Sequence, residues 1–94
     1  AVALKPGRGG TAAAESLRAL LVAAGLDARL LQVLPEDTAS VDAALDGAAP
    51  HAGVAKVFLT GSAATGQALL AKLAPRLIPA TMELSGCDAL LVLA

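Results

Sequence analysis

Residues 54–74 read VAKVFLTGSAATGQALLAKLA, and within them a short apolar run gives way to leucines at helical spacing. The run Val54–Leu59 ends at a turn-forming sequence, Thr60-Gly61-Ser62, which predicts a buried strand followed by a tight turn. Gly61 is expected to let the backbone turn sharply there. The leucines that follow recur every three or four residues and predict a helix over Ser62–Ala74. This strand–turn–helix unit is typical of α/β proteins with parallel sheets.

The same alternation of apolar strand and amphipathic helix runs through the rest of the chain. Further strands are predicted at Ala1–Leu4, Arg29–Leu34, Ile78–Leu84 and Leu90–Leu93. One more helix is expected to be capped by Thr11 and ended by Gly25, and another to be capped by Thr38 or Ser40. The apolar face predicted for the first of these helices consists of Leu17, Leu20, Leu21 and Ala24. The order β-α-β-α-β-α-β-β predicts an α/β fold with a Rossmann-like, mostly parallel sheet and flanking helices.

Composition excludes several classes of function. The 94 residues are enough for one small domain, and the net charge of −1 gives no basic field for nucleic acid or for an anionic membrane. One Cys and one His exclude a disulfide framework and a multi-thiolate metal site. With no Trp or Tyr and one Phe, the chain also lacks the stacking side chains of single-strand binders.

The chain is unusually apolar. Hydrophobic residues make up 56% of it and the mean hydropathy is +0.71, yet no apolar run approaches the roughly 20 residues of a membrane span. The chain begins and ends in apolar, strand-like segments, so we expect a piece of a larger protein whose other parts cover these faces. With no targeting segment in the sequence, a cytoplasmic location is the default expectation.

Ligands of parallel α/β sheets bind at the carboxyl ends of the strands. Three predicted loops lie there: Lys5–Gly10, Pro35–Ser40 and Thr60–Gly66. In the third loop, the Ser62 hydroxyl and the free amides of the following helix are suited to an anion. The same residues also suit a Gly-Ser helix cap with no ligand, and neither GxGxxG nor GxxxxGK[ST] is present.

Among the other polar residues, Glu83 is the strongest candidate for chemistry. Its apolar neighbours are expected to raise its pKa by desolvation, as a general base near neutral pH requires, although a Glu bonded to backbone amides at a strand end is the alternative. For Cys87 we expect a structural, partly buried thiol, and for His51 a solvated loop position. Asp42 and Asp46, four residues apart on a helix, indicate a wetted surface rather than a metal site.

Four segments, in order along the chain, carry a family resemblance. Val2–Pro6 is similar to V-x-K-P, and Leu20–Leu34 contains the sequence Ala24-Gly25-Leu26. Val57–Ser62 with Gly66 is similar to F-T-G-S-x-x-x-G, and Thr81–Gly86 is similar to L-E-L-G-G. Together they resemble the aldehyde dehydrogenase superfamily over essentially all 94 residues.

This resemblance implies that residues 1–94 form part of an NAD(P)-binding, Rossmann-like domain within a larger aldehyde dehydrogenase-like fold. The implied roles are a contact with the adenosine ribose for Lys5, the turn glycine for Gly61, a contact with the pyrophosphate for Ser62, a position beside the adenine for Thr65, and activation of the nucleophilic thiol or the deacylating water for Glu83. A solvated loop lysine is the alternative for Lys5.

In the family's reaction a Cys thiolate attacks the aldehyde, a hydride passes to NAD or NADP, and water releases the acid or an acyl derivative forms. The family nucleophile lies beyond the residues matched here, so this stretch alone is expected to be inactive. The resemblance also implies an aldehyde substrate and a homo-oligomer in the full-length protein. The charge balance predicts no nucleic-acid or membrane partner.

Several positions depart from the family pattern. Arg8 stands where the family often has a Glu that bonds both ribose hydroxyls, and a cation there favours the 2′-phosphate of NADP. The acidic loop Pro35–Ser40 lacks the usual Gly-aromatic-Gly, and Ser85 and Cys87 replace a Gly and a Lys. These departures leave a second hypothesis open, a degenerate, non-catalytic nucleotide-binding or assembly module of the same superfamily.

Overall fold

The computed structural model describes residues 1–46 and 53–86, and the chain divides into two compact units, Ala1–Gly53 and Val54–Ala94. The elements follow as β1 (Val2–Leu4), α1 (Thr11–Ala23), β2 (Leu31–Val33), α2 (Thr38–Leu45), β3 (Val57–Gly61), α3 (Ala63–Leu73) and β4 (Ala80–Leu84). The predicted α/β class is confirmed, and so is the predicted order of elements as far as β4. The predicted strand Leu90–Leu93, together with His51 and Cys87, lies outside the described residues. Within those residues no helix has the length and apolar character needed to cross a bilayer.

In the first unit, β1 and β2 pair in parallel and α1 packs on β2. The register places Val2 opposite Leu31. Leu31 and Ala14 of α1 are both buried. Arg18, on the same side of α1, donates from Nε to the Leu31 carbonyl oxygen at 2.9 Å. A helix residue thereby satisfies a strand carbonyl at the point where β2 begins.

The predicted apolar face of α1 is wrong for the packing within this unit. Leu17, Leu20 and Leu21 are all exposed, Leu20 by 69%. The side of the helix toward β2 instead carries the small Ala14 and the long Arg18. Leucine spacing indicates a helix correctly, but it does not identify the packed side when a small residue permits close approach and a guanidinium finds backbone acceptors.

Gly25 ends α1 as predicted. Its φ is +104°, a conformation that side-chain-bearing residues rarely adopt. Its amide donates to the Val22 carbonyl, and the Leu26 amide donates to the Leu21 carbonyl, at 3.0 and 2.9 Å. These two bonds form a Schellman motif, which satisfies carbonyls left open at the helix end.

Two predicted boundaries in this unit are wrong for a shared reason, an aspartate that bonds the backbone ahead of it. Asp27 accepts from the Arg29 amide and pairs with its guanidinium at 2.6 Å, so a short 3₁₀ turn occupies Ala28–Leu30 and the strand begins at Leu31. Asp37, rather than Thr38 or Ser40, caps α2 by accepting from the Ser40 amide. Short acidic side chains favour such turns and caps over a continuing strand.

In the second unit, β3 and β4 pair in parallel and α3 packs against both strands. Leu73 of α3 is 1% exposed and anchors the core of this unit. Side chains alternate along the strands, so Met82 is half-buried whereas Thr81 and Glu83 are exposed. Thr60 of β3 lies opposite Glu83 and is also exposed. Glu83 therefore lies on the sheet face turned away from α3.

Candidate functional site

The first unit carries two of the predicted site residues, Lys5 and Arg8, directly after β1. Lys5 is half-buried and Arg8 is exposed. Neither side chain makes a hydrogen bond or an ion pair with any residue in 1–46 or 53–86. The carboxyl end of β1 thus presents two cations whose charge the described residues leave available to an anion.

Arg8 lies at the tip of a tight turn. The Gly10 amide donates to the Gly7 carbonyl oxygen at 2.9 Å and closes the turn. Gly9 has φ +77°, which favours glycine. At Gly10, a Cβ would lie 3.0 Å from the Gly7 carbonyl oxygen and 3.2 Å from Pro6 Cβ, so this position also requires a small residue. Gly9 and Gly10, which follow Arg8, are therefore needed for the shape of the turn.

A carboxylate from the loop after β2 holds this turn from outside. Glu36 Oε2 accepts from the Gly9 amide at 2.8 Å. Its Oε1 accepts from the Thr11 amide at 3.0 Å and from the Thr11 hydroxyl at 2.6 Å. The prediction that Thr11 is the N-cap of α1 is therefore wrong, because Thr11 is the first residue of the helix. The N-cap is Gly10, and the capping oxygens come from Glu36, 25 residues along the chain.

The environment of Glu36 stabilises its charged form. The Thr11 hydroxyl, followed by the Gly9 and Thr11 amides, lowers the pKa of this carboxyl below its ordinary value of 4.5. The negative charge also lies at the N-terminus of α1, where the helix dipole favours an anion. Sequence reasoning marked the loop Pro35–Ser40 as acidic but missed this role. The signal in the sequence was the position of Glu36, two residues after the predicted strand Arg29–Leu34. The parallel neighbour of that strand ends in a glycine-rich turn, and both loops leave the same edge of the pair.

The lowered pKa of Glu36 predicts a pH-dependent contribution to stability. A lowered folded-state pKa means that the contribution is complete well above pH 4.5 and declines as pH falls through the folded-state value. We expect the melting temperature of wild type to exceed that of Glu36→Gln by a constant difference near neutral pH. This difference should shrink below pH 4.5. Thermal denaturation followed by circular dichroism measures it. The exposed Glu15→Gln is the control, and a difference that stays constant to pH 3 contradicts the prediction.

The second unit carries the other four predicted site residues. Ser62 caps α3, as the sequence predicted, and its Oγ accepts from the Thr65 amide at 3.2 Å. The Ser62 and Thr65 hydroxyl oxygens lie 2.9 Å apart and share a hydrogen bond. Both side chains are exposed. The amides of Ala63 and Ala64 in the first turn have no helical carbonyl to bond. The hydroxyl hydrogen that the bond between Ser62 and Thr65 leaves over and the two amides thus form a group of donors that fits a phosphate oxygen.

The glycines of this segment differ from expectation. Gly61 is the last residue of β3, has no positive φ, and has ordinary contact space where a Cβ would lie, so it makes no sharp turn. The close approach occurs at Gly66, where a Cβ would lie 2.7 Å from Leu84 Cδ2. Gly66 therefore lets α3 pack closely on β4. This packing keeps the start of α3 near the carboxyl ends of both strands.

Glu83 lies near the end of β4, opposite Thr60 of β3. Ser62 follows Thr60 by two residues, so it lies roughly 7 Å farther along the strand direction than Glu83. It is exposed, and the burial that we expected to desolvate it is not found among the described residues. The alternative, a carboxylate bonded to backbone amides, is not found among them either. A carboxylate in this position is open to water and to a ligand at the strand ends.

The second unit therefore gathers Gly61, Ser62, Thr65 and Glu83 at the carboxyl ends of β3 and β4, while the first unit carries Lys5 and Arg8 after β1. Within residues 1–46 and 53–86, no group of three or more His, Cys, Asp or Glu side chains is arranged to hold a metal ion. Within the second unit, the donors at the start of α3 suit a phosphate group.

Comparison with known proteins gives one match. The family model described as "Aldehyde dehydrogenase family" matches residues 1–94. No curated protein and no solved structure matches the chain. The matched range contains every candidate site residue discussed above.

Proposed function

Because this chain belongs to the aldehyde dehydrogenase family, we propose that it supplies the coenzyme-binding part of an NAD(P)-dependent enzyme that oxidises an aldehyde. The observation that carries the proposal is the position of Ser62. It begins α3 at the carboxyl end of β3, with Glu83 on the neighbouring strand. This is where parallel α/β sheets bind their ligands, and the helix start offers unpaired donors to a diphosphate.

Five of the six candidate residues have a part in this proposal, and Gly61, which makes no sharp turn, has none. Ser62, Thr65 and the first amides of α3 bind the pyrophosphate, because hydroxyls and helix amides stabilise negative oxygens. Lys5 and Arg8 bind the adenosine end, where the described residues leave their charges unpaired. NAD or NADP, when bound, supplies the hydride acceptor of the reaction.

Glu83 is the general base in this proposal. Its carboxylate is exposed on the sheet face opposite α3, so a water molecule or a thiol can approach it. In the ionised form it accepts a proton from that group and so makes it a better nucleophile. The donors around Ser62 and the Glu83 carboxylate both lie near the carboxyl ends of β3 and β4, which supports a coenzyme that binds at these strand ends within reach of the base.

Titration with NADPH and NADH tests the proposed function. The chain contains no Trp or Tyr, so nicotinamide fluorescence is measured without aromatic protein emission from those residues. We expect saturable binding of at least one coenzyme. Binding of neither, with helix content intact by circular dichroism, contradicts the proposal and favours the degenerate, non-catalytic module.

Replacing Ser62 tests the pyrophosphate contact. Ser62→Gly removes the hydroxyl, while Gly is tolerated at helix N-caps and costs only a few tenths of a kcal/mol there. We expect the coenzyme Kd to rise roughly tenfold, about 1.5 kcal/mol, the lower end of the range for one hydrogen bond to a charged group. The exposed Ser16→Ala on α1 is the control and should leave Kd unchanged. An unaltered Kd in Ser62→Gly would remove Ser62 from the site.

A further inference from the structure

We propose that Glu36 is a positioning residue for Arg8 and that, by fixing the Gly7–Gly10 turn, it makes the chain prefer NADP to NAD. This inference rests on the proposed function and deepens it. Glu36 touches no coenzyme in the proposal. It acts through the turn that carries Arg8.

The turn has two sets of restraints, and both meet next to Arg8. Its own backbone closes it through the Gly10–Gly7 hydrogen bond. The Glu36 carboxylate then bonds the amide that follows Arg8, at Gly9, and the amide and hydroxyl of Thr11. The backbone on the carboxyl side of Arg8 is thereby tied to the loop after β2. Since β1 and β2 pair in parallel, both loops leave the same edge of the pair.

The same bonds occupy Glu36, which forms no ion pair with Arg8. Three of the roughly four acceptor positions of a carboxylate are used by Gly9 and Thr11. Arg8 is exposed, and its guanidinium has no hydrogen-bond or ion-pair partner within the described ranges. Here the acid is held by neutral donors, and the cation stays available.

An available guanidinium at a fixed turn discriminates between the two coenzymes. NADP differs from NAD by a 2′-phosphate on the adenosine ribose, and a guanidinium binds a phosphate with two parallel hydrogen bonds. Holding the turn in advance lowers the ordering cost of that contact. The NAD ribose offers only hydroxyls, which gain little from a cation.

Coenzyme titrations of wild type and variants test the effect on selectivity. We expect wild type to bind NADPH roughly tenfold more tightly than NADH, as for one charge-assisted contact. Glu36→Ala should bring this ratio close to one mainly by weakening NADPH binding, and Glu36→Gln, which keeps one acceptor oxygen, should give an intermediate ratio. Arg8→Gln should abolish the preference. Asp37→Asn is the matched control, because it changes the adjacent acid, which caps a different helix, and it should leave the ratio unchanged.

Limited trypsin digestion tests the fixing of the turn without any coenzyme. Trypsin cuts after Arg8, whereas Lys5 precedes Pro6 and resists cleavage. We expect cleavage after Arg8 to be at least roughly tenfold faster in Glu36→Ala, because the turn opens locally more often. Cleavage after Arg18, which lies within α1 and bonds the Leu31 carbonyl, serves as the internal reference for unfolding of the whole unit.

The outcomes separate this inference from the proposed function. Faster cleavage together with a collapsed NADPH preference supports the role of Glu36. Unchanged cleavage, an unchanged ratio, or a wild-type preference for NADH each overturns it while leaving coenzyme binding intact. Failure of wild type to bind either coenzyme contradicts the proposed function itself and removes the selectivity claim with it.

Discussion

Leu73→Ala is expected to lower the free energy of unfolding of the second unit by about 2–5 kcal/mol, the range for a buried leucine truncated to alanine. Leu73 is 1% exposed and is the only side chain among the described residues that is buried this completely. Its loss removes apolar contacts and leaves a cavity that α3, β3 and β4 can fill only in part. Few other side chains among residues 54–86 are buried and could compensate.

Urea denaturation followed by far-UV circular dichroism measures the effect of Leu73→Ala. Leu70→Ala is the matched control, because Leu70 is on the same helix but 47% exposed. We expect the control to cost less than about 1 kcal/mol, since much of its surface is in water in the folded state. Equal losses for the two variants would mean that the core of the second unit does not centre on Leu73.

Gly25→Ala is expected to destabilise the first unit by about 1–3 kcal/mol, the cost of a side chain held in a disfavoured backbone conformation. The φ of +104° at Gly25 is needed for the two hydrogen bonds that end α1. No atom lies within 4 Å of a Cβ at this position, so the penalty comes from the backbone and not from crowding. The variant chain must either accept the strain or lose the end of the helix.

Gly7→Ala is the control for this backbone effect. A Cβ at Gly7 also meets no atom within 4 Å, but Gly7 has no positive φ. At such a position alanine reduces the freedom of the unfolded chain, so we expect a change between zero and about 1 kcal/mol of added stability. The same urea titrations compare both variants. A Gly25→Ala chain as stable as Gly7→Ala would show that α1 does not need its observed end.

Local chemistry made much of the fold predictable. The hydroxyl of Ser62 at a strand–helix junction and the glycine after α1 each have a short-range physical role, and both are observed as expected. The boundary at β2 was missed because the Asp27–Arg29 pair favours a turn over the apolar strand pattern. The packed side of α1 was missed because it depends on Arg18 reaching a carbonyl 13 residues away.

Some positions in the candidate site could likewise be predicted from local sequence, whereas others depend on contacts between distant residues. Ser62, Thr65 and Glu83 fall at strand ends that the apolar pattern locates, so their positions could be predicted. Whether Glu83 is buried depends on which sheet face is covered, and sequence alternation does not identify that face. The bond between Glu36 and Thr11 spans 25 residues, and no local preference indicates it.

The carboxylate of Glu36 also has a mechanical consequence for the first unit. Strands of three residues have too few side chains to fix their own alignment, and a slip of one position moves one chain by about 3.3 Å along the other. Such a slip would carry the Glu36 oxygens out of reach of all three donors at once. One acid beyond the strands therefore adds its own penalty for misalignment of β1 and β2 to that of their short ladder.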